Sequence, residues 1–373
     1  MPEADTATPQ PRNEDERLMA LALMLGRRGL GRTWPNPAVG AVVVKDGLIV
    51  GRGWTQPGGR PHAEVEALTR AGAKAGGATL YVTLEPCSHH GKTPPCTDTI
   101  ADAKISRVVS AMVDPNPLVA GAGHWRLAER GIIVEVGIGA DEAQRAHAGH
   151  IRRMRDGRPN VCAKIAVTAD EKVALSGGRP VAITADSAGR RVHLMRAMTD
   201  AIATGIGTVL SDDPLLTSRL PGMHSPVRVV LDSALRLPVA SKLVTSTHIA
   251  PLWVFTAVSA PVEREQALAA RGVEVLRVKE RSGALDICAI LKVLAERGIT
   301  RLMVEAGPKL NTALLAANLI DEVALFRSPA DIGEQGIDAL HGSPLSALVD
   351  SARVRRVDTE RIGPDVLELY ERL

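Results

Sequence analysis

P-C-S-H-H-G-K-T-P-P-C, residues 86–96, places two of the chain's four cysteines in a basic, proline-rich loop. The sequence on either side shows how this loop is held. A-T-L-Y-V-T-L, residues 78–84, predicts a strand that ends at the loop, and Thr97–Ala103 predicts a short helix after it. Four cysteines in 373 residues do not make a disulfide framework, so the pair needs another explanation.

The explanation comes from H-A-E, residues 62–64, at the start of a helix predicted over His62–Ala75. One imidazole and two thiolates hold Zn²⁺ tetrahedrally and leave the fourth position to water. The predicted ligands are His62, Cys87 and Cys96. Glu64 would move protons between the water and the substrate, a pattern typical of zinc-dependent base deaminases. A closed structural zinc site is the alternative, with His89 or His90 as its fourth ligand.

The rest of the N-terminal half predicts a layered α/β domain. Asn13 and Glu16 indicate the start of a helix that ends at Gly29, and Asp46-Gly47 lies between two β-rich runs, as in a hairpin. Further strands are expected in S-R-V-V-S-A-M (106–112) and I-I-V-E-V (132–136), with a helix near Gly123–Arg130. The polar, basic stretch 141–159 is expected to be a helix that leads to a domain boundary.

A second α/β alternation follows and predicts a second domain. Its predicted strands lie in residues 161–168, 227–232, 251–256, 273–278, 301–305 and 321–326. Its predicted helices are Asp186–Ala197, Pro261–Ala270, Leu285–Arg297 and Pro308–Ala317. We therefore expect a disordered tail over residues 1–13 and domains over 14–150 and 151–373.

Composition narrows the function classes. The net charge of +3 and the 2% aromatic content do not favour a nucleic-acid surface or a base-stacking platform. No apolar run of about 18 residues predicts a membrane span, and the N-terminus lacks the apolar core of a signal peptide. Cys162 and Cys288 are expected to be buried small hydrophobic residues. The expected compartment is a reducing cytoplasm.

Eight residues separate Cys87 from Cys96, whereas most such deaminases have two. With V-T-L-E-P before the loop and D-P-N-P-L-V-A-G (114–121) after it, the stretch resembles the deaminase half of the bifunctional pyrimidine deaminase/reductase family of riboflavin biosynthesis. The resemblance implies that His89 and Lys92 contact the substrate phosphate, with Lys92 close to the reacting ring. It also implies that Asn36 hydrogen-bonds the pyrimidine. Thr55 departs from the family, which often has His there.

The resemblance continues from Val161 to Leu373 into a reductase domain with a dihydrofolate-reductase-like fold. Gly205-Ile206-Gly207-Thr208 follows a strand and would bring backbone N–H groups near a dinucleotide. The resemblance implies substrate contacts from Lys164, Arg196, Asp212, Arg219 and Glu305, with the two arginines at the phosphate. It implies cofactor contacts from Thr168, Asp170, Gly205, Gly207, Thr208, Ser233 and Gly307.

This half also departs from the family at likely walls of the cofactor site. The family's Asp-Gly is Asp170-Glu171, a frequent Trp is Ala182, and the usual Pro-Lys-(Leu/Ile)-(Leu/Ile)-Gly-Gly is reduced to S-P-A-D-I-G-E-Q-G, residues 328–336. These changes put the cofactor contacts in question more than the presence of the domain.

The resemblance implies two consecutive reactions on one small phosphorylated substrate. Zinc-dependent deamination of 2,5-diamino-6-ribosylamino-4(3H)-pyrimidinone 5′-phosphate would precede NADPH-dependent reduction of its ribosyl group to ribityl. We expect a homo-oligomer with no nucleic-acid or membrane partner. One alternative is a nucleoside or tRNA deaminase with a C-terminal substrate-binding module. Another is a zinc-stabilised scaffold or nucleic-acid-binding protein without catalysis.

Overall fold

The computed structural model describes residues 13–91, 93–175, 183–281, 283–350 and 352–373. The chain divides into two compact units. One contains the residues up to Gly29 together with Asn36–Arg155, and the other contains Leu30–Pro35 and Asp156–Leu373. The predicted tail lies outside the described residues except for Asn13. No helix of the described residues has the length and apolar character needed to cross a membrane.

The N-terminal unit is an α/β layer structure, as expected. Its strands are β1 (Gly40–Lys45), β2 (Leu48–Trp54), β3 (Thr79–Val82), β4 (Arg107–Ser110) and β5 (Ile133–Val136). Its helices are α1 (Glu14–Gly26), α2 (Ala63–Ala71), α3 (Cys96–Asp102), α4 (Ala122–Glu129), α5 (Ala140–Ala146) and α6 (Ala148–Asp156). The sheet order is β2-β1-β3-β4-β5, in which β3, β4 and β5 run parallel and β1 is antiparallel to both of its neighbours.

Local chemistry explains the main features of this unit. The Asn13 side chain caps α1 by accepting from the Glu16 N–H at 2.8 Å. Asp46 and Gly47 both have positive φ, as a two-residue hairpin turn requires. Strand β1 is buried on both faces, because Val42 packs in the core on the α1 side and Val43 in the core on the α2 side. The sheet therefore lies between two layers of helices.

Several predicted boundaries in this unit differ from the structure, and three of them are as follows. The α-helical part of α1 ends at Gly26, and a 3₁₀ turn continues to Gly29. The helix expected over 141–159 is two helices, α5 and α6. Helix α3 begins at Cys96, one residue before the prediction, because Pro95 is its N-cap. This last difference places the thiol of Cys96 in the first turn of a helix.

The C-terminal unit has a larger sheet. Its strands are β6 (Asn160–Val167), β7 (Lys172–Leu175), β8 (Ala201–Gly205), β9 (Val227–Leu231), β10 (Leu252–Ala257), β11 (Glu274–Val278), β12 (Glu280–Arg281), β13 (Ala284–Leu285), β14 (Arg301–Val304), β15 (Glu322–Arg327), β16 (Gly336–Asp338), β17 (Val354–Ile362) and β18 (Asp365–Arg372). Its helices are α7 (Asp186–Ala197), α8 (Ile206–Asp212), α9 (Lys242–Thr245), α10 (Val262–Ala269), α11 (Ile287–Glu296), α12 (Pro308–Ala316) and α13 (Ser346–Val349).

Nine of these strands form one sheet in the order β11-β10-β9-β8-β14-β6-β15-β18-β17. The first seven are parallel, and β18 and β17 are antiparallel. Helices α11 and α12 pack on one face, and α7, α8, α9 and α10 pack on the other. Because connections from parallel strands leave at the same edge, the loops after β9, β8, β14, β6 and β15 meet there.

Two features of this unit differ from expectation. The hairpin β17–β18 was not predicted, because all residues of β17 are exposed or only half-buried and its sequence lacks the alternation typical of a strand. The prediction that Cys288 is buried was wrong, since it is exposed near the start of α11. Cys162, on β6, is partly buried against the α7 side of the sheet.

Candidate active sites

Three metal-binding side chains converge in the N-terminal unit. His62 is the N-cap of α2, Cys87 lies in the loop after β3, and Cys96 opens α3. Their ligand atoms lie within 4.8 Å of one another. The Nδ1 atom of His62 is 3.3 Å from Sγ of Cys96 and 3.7 Å from Sγ of Cys87. These donors and this spacing fit Zn²⁺.

The fourth ligand position distinguishes a structural from a catalytic zinc site. His89 and His90, the candidates for a closed site, are exposed and do not join the cluster. Across the described part of the chain, the group therefore contains three protein ligands. Three ligands plus water is the arrangement of catalytic zinc sites.

The loop that carries Cys87 is held by Glu85, a residue that was not among the predicted site residues. Glu85 is 3% exposed, and its carboxylate accepts from the N–H groups of Asp114 at 3.0 Å, Gly121 at 2.9 Å and Gly123 at 2.8 Å. A Cβ on Gly123 would lie 2.1 Å from the Pro86 carbonyl oxygen, so only glycine permits this approach. A carboxylate directly after an apolar strand was the available signal.

The electrostatics of the cluster favour a thiolate and a carboxyl group that exchanges protons. The hydrogen bond with the Cys96 thiol lowers the pKa of Cys87 to about 4, and the Cys96 N–H also contacts the Cys87 sulfur at 3.3 Å. The same thiol–thiol hydrogen bond, together with burial, raises the pKa of Cys96. Burial raises the pKa of Glu64, which is 4% exposed one residue into α2. A raised carboxyl pKa is what a proton shuttle needs near neutral pH.

The residues of this unit that were predicted to bind substrate differ in how close they lie to the metal-binding cluster. Asn36 lies beside the cluster, where its Nδ2 donates to the Gly59 carbonyl at 2.8 Å and is 3.4 Å from Nε2 of His62. His89 is exposed on the loop between the cysteines. Lys92 lies outside the described residues. Thr55 is buried, and its hydroxyl accepts from the Val39 N–H at 3.0 Å, so it supports the chain next to Asn36.

A second cluster lies at the carboxyl edge of the C-terminal sheet. Arg196 of α7 forms a bidentate ion pair with Glu305, which follows β14, with Nε–Oε1 at 2.7 Å and Nη2–Oε2 at 2.9 Å. Lys164 of β6 adds a third charge, with Nζ 3.7 Å from Oε2 of Glu305. Burial opposes ionisation, but Lys164 and Arg196 outweigh it and lower the pKa of Glu305 to about 2. Glu305 is therefore a carboxylate at physiological pH.

The other two predicted substrate residues differ in their relation to this cluster. Arg219 is exposed and donates from Nε to Nε2 of His193 at 2.9 Å, and His193 lies on α7 one turn before Arg196. Asp212 is exposed at the end of α8, where its carboxylate accepts from the Ser211 hydroxyl at 2.7 Å. The contacts of the described residues do not join Asp212 to Glu305.

The predicted cofactor residues lie at the same edge. Gly205 ends β8, and Gly207 and Thr208 form the first turn of α8. A Cβ on Gly205 or Gly207 would meet nothing within 4 Å, whereas one on Gly307, the N-cap of α12, would lie 3.7 Å from Oγ1 of Thr208. Adjacent parallel strands thus bring two glycine-containing helix starts together, an arrangement that suits a dinucleotide.

Two further loops carry the remaining cofactor candidates. Thr168 and Asp170 follow β6, and Asp170 accepts from the Thr168 hydroxyl at 2.5 Å and from the Gly333 N–H at 2.7 Å. Ser233 follows β9, and its carbonyl accepts from the Thr256 hydroxyl at 3.1 Å. Asp170 therefore links its own loop to the altered segment 328–336.

Two of the departures from the family fit the local backbone and its hydrogen bonds. Glu171 has φ +62°, so it adopts the left-handed conformation that the family's glycine would favour. The altered segment 328–336 stays tied to Asp170 through the N–H groups of Ile332 and Gly333. Ala182 lies outside the described residues.

Comparison with known proteins agrees with both halves. The sequence model of the RibD C-terminal domain matches residues 159–367, and that of the cytidine and deoxycytidylate deaminase zinc-binding region matches residues 12–112. The riboflavin biosynthesis protein RibD of Escherichia coli is 40% identical, with 95% of this chain and 98% of that protein covered. Its counterpart in Aquifex aeolicus is 41% identical, with 97% and 99% covered. This chain belongs to the RibD family.

Solved structures of the family share the whole fold. Acinetobacter baumannii RibD superposes with a TM-score of 0.85 at 35% identity, covering 96% of this chain and 99% of that one. A Thermotoga maritima protein superposes with a TM-score of 0.84 at 36% identity and the same coverage. It is titled a diaminohydroxyphosphoribosylaminopyrimidine deaminase/5-amino-6-(5-phosphoribosylamino)uracil reductase. The predicted family and fold class are confirmed.

Membership of the RibD family also confirms the predicted type of enzyme. The chain is a bifunctional protein of riboflavin biosynthesis with a zinc-binding deaminase domain and a reductase domain that uses NADPH. The alternative of a zinc-stabilised scaffold without catalysis is thereby set aside. The roles of individual residues remain predictions.

Proposed function

We propose that the chain deaminates 2,5-diamino-6-ribosylamino-4(3H)-pyrimidinone 5′-phosphate at the N-terminal cluster and then reduces the ribosyl group at the C-terminal cluster. The observation that carries the first step is the group of three ligands, His62, Cys87 and Cys96, next to the buried Glu64. The functional boundaries proposed for the two activities are residues 14–150 and 151–373. The ranges of the two family matches support this division.

In the first reaction, His62, Cys87 and Cys96 would hold Zn²⁺, which supplies a Lewis acid that makes water nucleophilic at neutral pH. Glu64 accepts one proton of the attacking water and gives it to the ring nitrogen. It then carries the second proton, from the hydroxyl group now on the ring carbon, to the departing amine, so that water and the diaminopyrimidine yield ammonia and the ring carbonyl. The Glu64 carboxyl group is buried beside the Cys96 thiol, a position that supports this role.

The rest of the N-terminal site binds and orients the substrate. Asn36 hydrogen-bonds the pyrimidine, which is supported by its position 3.4 Å from the ring of His62. The loop between the cysteines carries His89 and Lys92 to the phosphate. A cationic loop suits a phosphate monoester because the anion is recognised largely through charge-assisted hydrogen bonds.

In the second reaction, bound NADPH would supply a hydride to C1′ of the ring-opened imine form of the sugar, and the imine nitrogen would take a proton from solvent. The residues proposed to hold the cofactor are Thr168, Asp170, Gly205, Gly207, Thr208, Ser233 and Gly307. Lys164, Asp212 and Glu305 contact the substrate, and Arg196 and Arg219 bind its phosphate. Because Arg196 is paired with Glu305, it also fixes the direction of that carboxylate.

The compartment and the partners proposed for this activity follow from its chemistry. None of the four cysteines forms a disulfide bond, which suits a reducing cytoplasm. The partner of each site is a small phosphorylated molecule, and the modest net charge of +3 gives no support for a nucleic-acid partner. Assembly into a homo-oligomer is part of the proposal.

The test follows ammonia and NADPH absorbance in the same sample of zinc-replete protein supplied with the diaminopyrimidine phosphate. We expect ammonia release first and NADPH oxidation after it, with both absent in Glu64→Ala. Ammonia without NADPH oxidation would contradict the proposed reduction. No ammonia from the zinc-replete wild-type protein would contradict the proposed deamination.

A further inference from the structure

The segment 216–219 is joined to α7 by four hydrogen bonds. The Thr217 carbonyl contacts Nδ1 of His193 at 3.2 Å and accepts from Nη1 of Arg196 at 3.1 Å. The Ser218 hydroxyl donates to the His193 carbonyl at 3.0 Å, and Arg219 donates from Nε to Nε2 of His193 at 2.9 Å. Three of the four bonds therefore involve His193, a residue without a role in the proposed reactions.

These contacts determine the tautomer of His193. A guanidinium group can only donate, so Nε2 accepts from Arg219 and the ring proton lies on Nδ1, where it donates to Thr217. Burial, and then the charges of Arg196 and Arg219, lower the pKa of His193, although the Thr217 carbonyl and Glu305 oppose them. The ring therefore stays neutral at physiological pH and keeps an acceptor for Arg219.

The backbone conformation of the segment 216–219 also depends on these contacts. Leu216 is 3% exposed and has φ +55°, a left-handed conformation that is unfavourable for a residue with a Cβ. Such a conformation persists where neighbouring contacts hold it, and it is commonest at functional sites. His193 and Arg196 both donate to the Thr217 carbonyl, so they hold the peptide group between Thr217 and Ser218, next to Leu216.

We propose that His193 is a positioning residue of the reduction site, which fixes the guanidinium of Arg219 for the substrate phosphate. The inference rests on the proposed function, in which Arg196 and Arg219 bind that phosphate. Within the described residues, the hydrogen bonds of Arg219 involve only Nε, so its terminal nitrogens remain for a ligand. His193 sets the distance between the two guanidinium groups because it contacts Arg219 directly and shares the Thr217 carbonyl with Arg196.

The test compares two substrates in the presence of NADPH: 5-amino-6-(5-phosphoribosylamino)uracil and the same compound without its phosphate. His193→Leu removes both ring hydrogen bonds, and we expect it to raise KM for the phosphorylated compound about tenfold, the loss typical of a charge-assisted contact. KM for the dephosphorylated compound and for NADPH should not change. His193→Gln keeps an oxygen that can accept from Arg219 and should recover most of the lost affinity.

His248→Leu serves as the control, because His248 is exposed and belongs to neither cluster. An equal rise of KM for both uracil compounds would show a general structural role and overturn the proposal. So would unchanged KM values in His193→Leu, or identical effects of the Leu and Gln substitutions. If the wild-type protein oxidises no NADPH with the phosphorylated compound, the proposed reduction itself fails, and the inference falls with it.

Discussion

The two clusters are built in different ways. The zinc cluster takes its ligands from one continuous stretch, residues 62–96, and two of the three lie at helix starts. The second cluster collects single residues from β6, from the loop after β14 and from α7, and ion pairs orient them. In the first cluster a single substitution removes a metal ligand. In the second it disturbs a charge balance that several residues share.

The largest loss of activity is expected when a zinc ligand is removed. Cys96→Ala removes one of three protein ligands from a buried site, so we expect the protein to lose its zinc and its deamination activity together. Reduction of the deaminated compound should continue. Metal content measured by atomic emission and ammonia release would check this result. Cys288→Ala is the matched control, since that thiol is exposed and distant in sequence from the cluster.

A smaller loss is expected where the ligands remain and the proton shuttle is removed. Glu64→Gln has nearly the same shape but cannot accept a proton, so deamination should slow about 10³-fold, within the range typical of general acid–base catalysis. Zinc content should equal that of the wild-type protein. If Glu64→Gln lost its zinc, Glu64 would be part of the metal shell and not a shuttle.

In the second cluster, Glu305→Gln should slow reduction about 100-fold in kcat/KM, because Arg196 and Lys164 lose the carboxylate that orients them. Deamination should be unchanged. Glu296→Gln, at an exposed position at the end of α11, is the control. A reductase unaffected by Glu305→Gln would show that the ion pair serves stability alone.

The smallest expected effect is on stability at low pH. The pKa of Glu305 is lowered from 4.5 to about 2, so its stabilising contribution is complete above about pH 4.5 and is lost as pH falls towards 2. The whole contribution is about 3 kcal/mol, of which about 2 kcal/mol is lost by pH 3.

The loss of stability can be checked by urea unfolding at pH 6 and pH 3, with hydrogen exchange of β6 and β14 as the probe of the C-terminal unit. The difference in unfolding free energy between wild-type protein and Glu305→Gln should shrink at the lower pH. An equal difference at both values would mean that the ion pair does not lower the pKa of Glu305 as described.

The contrast between the clusters also explains what the sequence could predict. Few other kinds of site use a His, a Glu and two Cys in the order of His62, Glu64, Cys87 and Cys96. The sequence was therefore sufficient to predict a metal-binding group. The role of Glu85 was not predicted: its carboxylate directly after an apolar strand was a weak signal, because the backbone N–H groups that donate to it lie 29 and more residues away. Hydrogen bonds over such sequence distances leave no spacing pattern.

In the C-terminal unit, the family resemblance implied a set of site residues but not how they pair. Arg196 and Glu305 lie 109 residues apart, and a single sequence does not reveal that they form a bidentate pair. His193 was not among the predicted site residues, because a histidine on a helix has no spacing signature without a metal. The hairpin β17–β18 was missed because its exposed first strand carries no hydrophobic alternation.

One measurement tests the central claim, that two clusters perform two consecutive reactions. Glu64→Gln protein is given NADPH and, in separate samples, the diaminopyrimidine phosphate or its deaminated product. We predict that NADPH oxidation is slowed about 10³-fold with the first compound and keeps the wild-type rate with the second. Oxidation of NADPH at the wild-type rate with the diaminopyrimidine, or a lost rate with the deaminated compound, would contradict this claim.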